Sequence, residues 1–141
     1  VLQLGEPAYL YVGVDDIDRA IAFYERALGA EFVWHFRRFG TDVAAVRVSA
    51  TGPLVLLAAH RPAPSCLPIW TVADLDATVA HVAAAGFADR GETAGTPDGP
   101  VHVLRDLDGN ELGLLQQDVP NALAPRYADP ANPNAVPRTP D

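Results

Sequence analysis

A chain of 141 residues, 49% of them apolar, suits one compact domain with enough material for a core. Its formal charge of −8 argues against nucleic acid and anionic membrane as partners, since both need a cationic surface, and would suit a cationic small molecule. The single cysteine, Cys66, forms no intrachain disulfide, no apolar run reaches the ~18 residues of a membrane span, and Val1 to Pro7 lacks the regions of a signal peptide, so the cytoplasm is the expected compartment.

Ala8 to Val14 is rich in aromatic and β-branched residues and predicts a strand. Asp15 or Asp16 then caps a helix. Ile17, Ile21, Tyr24 and Leu28 recur on one helical face, and Gly29 stops it. Glu31–Phe39, Val43–Ser49 and Leu54–Ala59 predict three more strands, with Gly40 and Thr51-Gly52-Pro53 as turns. His60 to Pro68 holds three prolines and reads as a linker. The order then begins again with a strand at Pro68–Val72, a cap at Asp74, and a helix marked by Leu75, Val79 and Val82 that ends at Gly86. A weak strand is expected at Phe87–Gly91, a loop at Gly95–Gly99, and a hairpin of Val101–Arg105 with Glu111–Gln116 around Asp106-Leu-Asp-Gly-Asn110.

Val14-Asp-Asp-Ile-Asp18 matches Val72-Ala-Asp-Leu-Asp76, and Ile21 matches Val79, at one offset of 58 (72 − 14, 79 − 21). A duplicated β-α-β-β-β unit accounts for this. The tail from Asp118 to Asp141 has six prolines in 24 residues. By itself it is expected to form neither helix nor central strand, and to be disordered or laid along a surface.

The duplicated pattern, the segment from Val14 to Ala30 and the closing Asp106-Leu-Asp-Gly-Asn-Glu-Leu112 resemble the vicinal-oxygen-chelate superfamily of glyoxalase I, bleomycin-resistance proteins and extradiol dioxygenases. Leu107 stands where that family's hairpin usually has proline. The resemblance implies an α+β fold. Two βαβββ modules, at about 8–60 and 67–117, form an eight-stranded half-open barrel with the helices outside. Residues 1–117 make one domain and 118–141 a tail. It also implies a homodimer.

Metal-dependent members place a His, Glu or Gln on each of four strands. Carried over by the flanking motifs, those positions fall on Tyr9, Leu56, Leu67 and Gly113, and a slip of two residues recovers only Glu111. Neither a family-type metal site nor any other cofactor is therefore expected. A site assembled from His35, His102 and Glu111 is the weaker alternative.

An apolar, partly aromatic cavity is expected instead, lined by Tyr9, Tyr11, Leu54, Leu56, Ile69, Thr71, Glu111 and Gly113. Trp34 and Phe39 fall where drug-sequestering relatives draw their stacking groups. Asp106 and Asp108 are expected to hold the hairpin turn. The leading expectation is a metal-free protein that sequesters or carries a hydrophobic or aromatic ligand, cationic in one version, as in antibiotic resistance. The alternative is a lyase, isomerase or dioxygenase of the superfamily with atypical or no metal ligands, using Tyr9, His35 or Glu111 as acid or base.

Overall fold

Two aspartates 58 positions apart (74 − 16) begin the two long helices in the same way. Asp16 and Asp74 are both extended, and each carboxylate accepts a hydrogen bond at 3.0 Å from a backbone N–H three residues on, Arg19 and Ala77 respectively. Each bond satisfies an N–H that the first helical turn leaves without a partner. Gly29 ends the first helix at φ 67, a left-handed conformation that side chains with a Cβ rarely adopt.

The computed structural model describes residues 3–87 and 91–138. In chain order these form β1 (Pro7–Gly13), α1 (Ile17–Leu28), β2 (Glu31–Arg38), β3 (Thr41–Arg47), β4 (Leu54–Ala58), β5 (Ser65–Thr71), α2 (Leu75–Ala84), β6 (Glu92–Thr96), β7 (Gly99–Arg105), β8 (Glu111–Leu115) and α3 (Leu123–Ala128). The β-α-β-β-β order occurs twice, as expected, and the class is α+β. Contacts divide the chain into two units: Tyr9–Cys66 with the segment from Leu123 onward, and Leu67–Ala122 with the segment up to Ala8.

In the first module the strands run β2-β3-β4-β1, with β1 parallel to β4 and the other pairs antiparallel. In the second they run β5-β8-β7-β6, with β5 parallel to β8. One helix covers one face of each sheet. Ile17 and Ile21 of α1 pack on Leu10, Val12, Phe32, Ala44, Val46, Val55 and Leu57. Leu75 and Val79 of α2 pack on Trp70, Leu104, Leu112 and Leu114. The period of two then sends Tyr9, Tyr11, Leu54 and Leu56 to the face opposite α1, and Ile69, Glu111 and Gly113 to the face opposite α2.

Besides β5, which starts at Ser65 within the expected linker, three features depart from expectation. The strand expected at Phe87–Gly91 is not found at its ends, and residues 88–90 lie outside the described ones. The strand is β6, at Glu92–Thr96, and it takes up part of the expected Gly95–Gly99 loop. The Thr96 hydroxyl accounts for this: it donates to Gly99 O at 2.6 Å and accepts from Gly99 N at 3.2 Å, so the turn closes later.

The second departure is a β-bulge between Phe32 and Trp34. Without it the two rings would share a face. With it, Phe32 packs on the α1 side and Trp34 pairs with Ala45 on the opposite face.

The third is the tail, which does form a helix. Pro125 sits in the first turn of α3, where the missing N–H has no intrahelical partner to lose. Tyr127 then sets its ring against Phe32 and Phe36 at 5.8 and 5.6 Å and donates its hydroxyl to Val136 O at 2.8 Å. The chain turns and pairs with the outer edge of β2. Arg37 N donates to Asn134 O and Val136 N to His35 O, at 2.9 and 2.8 Å. Arg138 bonds Glu25 of α1. An edge strand that would otherwise present open backbone groups is thereby closed.

Tyr127→Ala is expected to lower stability by ~1–3 kcal/mol and Tyr127→Phe by about 1 kcal/mol, read from urea unfolding midpoints. An alanine variant as stable as the parent would show that the ring contributes nothing to holding the tail on β2.

Candidate functional site

The face opposite α1 carries one continuous rung. Trp34 pairs with Ala45, Ala45 with Leu56 and Leu56 with Tyr11, and Tyr9 pairs with Leu54 on the next rung. Most of this rung is core. Trp34 is 2% exposed, Tyr9 8%, and Leu54 and Leu56 6% each. The indole packs on Phe36 with centroids 5.5 Å apart, and its buried N–H meets no acceptor among the described residues. Phe39 does not join this wall. It sits at the β2–β3 turn with φ 48, 87% exposed, under the Arg38 guanidinium. The strand ends at Arg38, one residue before its expected end, which takes the ring off the sheet.

Tyr11 is the exception on this rung, being half-buried. Two positions further along β1, Gly13 is buried. A Cβ there would lie 1.9 Å from Pro62 O and 2.6 Å from Ser65 Oγ. The linker after β4 therefore crosses the sheet against bare backbone, and Ser65 Oγ donates to Pro62 O to hold its bend. This crossing brings two linker residues over Tyr11. The Tyr11 hydroxyl and His60 Nε2 are 3.2 Å apart, and their rings meet edge to face at 5.9 Å. The Arg61 guanidinium stands 5.5 Å from the centre of the Tyr11 ring.

Each group alters the others. Burial raises the Tyr11 pKa above its ordinary 10.0, with Arg61 opposing. Burial lowers the His60 pKa below its ordinary 6.5, and the Arg61 charge lowers it further. At neutral pH the cluster is a neutral phenol bonded to a neutral imidazole beside one permanent cation. It can donate and accept a proton. Sequence reasoning placed Tyr11 here but treated His60 and Arg61 as linker. The available signal was two polar, titratable residues between the end of β4 and the first linker proline.

In the second module the expected residues have other tasks. Ile69 pairs with Gly113, which pairs with Val103. The Ile69 side chain fills the space over Gly113, where a Cβ would meet its Cγ1 at 3.0 Å. Thr71 donates its hydroxyl to Glu6 O and its N–H likewise, binding the segment before β1 to β5. Glu111 pairs with Arg105 across the hairpin. Both line an open cleft of about 820 Å³, together with Val82, Phe87, Glu92, Val103 and Leu107. Of the expected ligand-lining residues only Glu111 is found there. Asp106 holds the hairpin, as expected. Its carboxylate accepts from Asp108 N, Asn110 N and Asn110 Nδ2, and these bonds, led by the Asn110 side chain, keep its pKa below the ordinary value.

The three weaker acid–base or metal candidates are His35, in the first module's sheet, and His102 and Glu111, in the second's. His35 lies on the α1 side of its sheet, buried, with Nε2 2.5 Å from Asp42 Oδ1, and Arg37 holds the other carboxylate oxygen. His102 lies on the α2 side of its own sheet and bonds Thr93 at 2.8 Å, whereas Glu111 is on the opposite face. The fold family implies a divalent metal on four strands. The residues here do not fit one: Leu56, Leu67 and Gly113 carry no donor atom in their side chains. Among the described residues no three His, Cys, Asp or Glu side chains cluster.

A family model, the Glyoxalase/Bleomycin resistance protein/Dioxygenase superfamily, matches residues 7–114. No curated protein matches the sequence significantly. Among solved structures the chain is similar to methylmalonyl-CoA epimerase from Mycobacterium tuberculosis, with 18% identity, 82% of this chain and 92% of that chain covered, and a TM-score of 0.67. It is also similar to a hypothetical protein from Bacillus halodurans, with 13% identity, 79% and 93% covered, and a TM-score of 0.67. A Streptomyces coelicolor methylmalonyl-CoA epimerase variant in complex with 2-nitronate-propionyl-CoA shares 17% identity, with 83% and 100% covered and a TM-score of 0.64. At these identities the likeness is one of fold.

Because the folded His60 pKa lies below 6.5, the unfolded chain binds that proton more readily. Its contribution to stability is whole above about pH 6.5 and is lost as pH falls through the depressed folded value. His60→Gln should flatten this part of the stability profile between about pH 7.5 and 5, measured by urea midpoints. Superimposable profiles would show that the imidazole is not held as described.

Proposed function

Since the chain belongs to the Glyoxalase/Bleomycin resistance protein/Dioxygenase superfamily, we propose that it binds a small, partly apolar molecule at the Tyr11 end of the first module's sheet without a family-type metal. The observation that carries this reading is the Tyr11–His60–Arg61 cluster, held over Gly13 by the crossing linker. Apolar floor residues with a few converging polar groups are the usual make-up of a small-molecule site. The half-buried Tyr11 ring supplies the first, and its hydroxyl with the His60 and Arg61 side chains supplies the second. The substitutions at the metal positions support independence from a metal, as leucine and glycine side chains offer no ligand atom.

A second reading is that the same site turns its ligand over, as a lyase or isomerase would. Two observations favour it over simple sequestration. The solved structures of like fold include epimerases, which are enzymes. The Tyr11–His60 pair is a bonded acid and base, the arrangement that proton transfer uses.

Two measurements test the proposal. Protein equilibrated with zinc, nickel or iron and then dialysed should retain far less than one ion per chain by elemental analysis. Binding of a naphthalene-based ligand, followed by tryptophan fluorescence, should change by less than roughly two-fold after treatment with a chelator. One tightly held ion per chain, or binding that appears only when metal is restored, would overturn metal independence.

A further inference from the structure

We propose that the outer edge of β6 is an interface between two copies of this chain, which pair through Glu92–Thr96 as antiparallel strands about a two-fold axis at Ala94. No residue of the small-molecule site takes part.

The two modules end their sheets differently. The outer edge of β2 is closed by the chain's own tail, through Arg37 N to Asn134 O and Val136 N to His35 O. β6 pairs with β7 on one side only, and all five of its residues are exposed. The neighbouring ladder decides which backbone groups it presents. Gln116 N donates to Pro100 O at 3.0 Å, so Pro100 turns its carbonyl toward β8 and away from β6. Successive residues of a strand alternate in this respect. Val101 therefore faces Ala94 with both its groups. Thr93 and Gly95, opposite His102 and Pro100, direct their N–H and C=O groups outward. These four groups meet no partner among the described residues.

Exposed edges are normally blunted by lysine, proline or a bulge. The run Glu-Thr-Ala-Gly-Thr of β6 has none of these. Its side chains also decide the occupant. A foreign strand is selected through pockets for its alternate side chains. Thr93, Ala94 and Gly95 are too small to wall a pocket, and a Cβ on Gly95 would meet nothing within 4 Å. The Thr93 hydroxyl is turned back onto its own sheet, 2.8 Å from His102 Nδ1. A second copy fits this edge as it stands. With the axis at Ala94, Thr93 lies opposite Gly95 of the second copy and exchanges both backbone bonds with it, and the symmetry repeats the pair. Every outward group on both strands is then satisfied. Glu92, the only charged residue of the strand, lies opposite Thr96 of the second copy. The two Glu92 positions are about 14 Å apart, beyond the ~8 Å over which salt screens them. Each edge is used once, so the assembly closes at two chains. Five residues a strand bury less than a standard interface, so the dimer forms at high concentration and dissolves on dilution.

The test is a concentration series on the full chain. Light scattering is expected to give 15.0 kDa at about 5 μM and to approach twice that mass at about 500 μM. Over the same range, hydrogen exchange at the Thr93 and Gly95 amides should slow by roughly three-fold or more. The Ala94 amide, which faces Val101 in either state, should not respond. Gly95→Pro removes an outward N–H that the fold itself does not use, and should raise the dissociation constant by about ten-fold or more. Ala94→Lys sets two like charges against each other at the axis and should do the same. Thermal melts establish that each variant is folded. Phe39→Ser, which removes a ring that is 87% exposed on the other module, should leave the dissociation constant unchanged. A monomer at the highest concentration would overturn the proposal and leave the edge to a strand from another protein. So would a dimer that both β6 variants leave intact, or one whose Thr93 and Gly95 amides exchange as fast as in the monomer.

Discussion

Each module has a sheet with two faces and only one long helix to cover them. Everything distinctive in this chain follows from how the face away from the helix is used. In the first module the α1 side is a closed hydrocarbon core, with Ile21 and Leu57 at 2% and 0% exposure. The period-two alternation of β1 and β4 obliges Tyr9, Tyr11, Leu54 and Leu56 to face the other way. Removing that alternation by one residue of register would exchange the two sets, exposing the core and burying two phenols against a helix.

The linker's path depends on the same constraint. A strand residue pointing away from α1 normally projects a side chain, and Gly13 projects none, so the chain leaving β4 comes back across the sheet in direct backbone contact. That crossing is the reason two residues from a loop sit over a residue of β1. The polar cluster is thus built on one strand and one held loop. Along the far edge of the same sheet, the bulge at β2 turns Trp34 onto the face away from α1, and the tail closes the edge through Tyr127 and Ala135.

Local rules made much of this legible. The Asp caps, the stop at Gly29, the amphipathic face of α1 and the 58-residue offset all express interactions between neighbours in sequence, and the structure realises each of them. The Asp106 turn belongs to the same class. What stayed hidden depends on contacts between distant residues. The bulge is a compromise of pairing between β2 and β3 and leaves no mark in either strand alone. The tail helix was excluded on proline count, whereas the position of Pro125 within the first turn decides the matter. His60 and Arg61 look like any loop residues until Gly13 is seen to bring them to Tyr11. Phe39 and Trp34, chosen as a stacking pair by spacing, were separated by a turn and by burial.

The proposed site puts the ligand at the end of β1 and the start of the linker in the first module. Backbone amide shift mapping of the ¹⁵N-labelled chain during titration with a naphthalene-based ligand reads that position. The largest perturbations are expected at Tyr11, Val12, Gly13, His60 and Arg61. Perturbations confined to the cleft lined by Val103, Arg105, Leu107 and Glu111 in the second module, with those five amides unmoved, would contradict it.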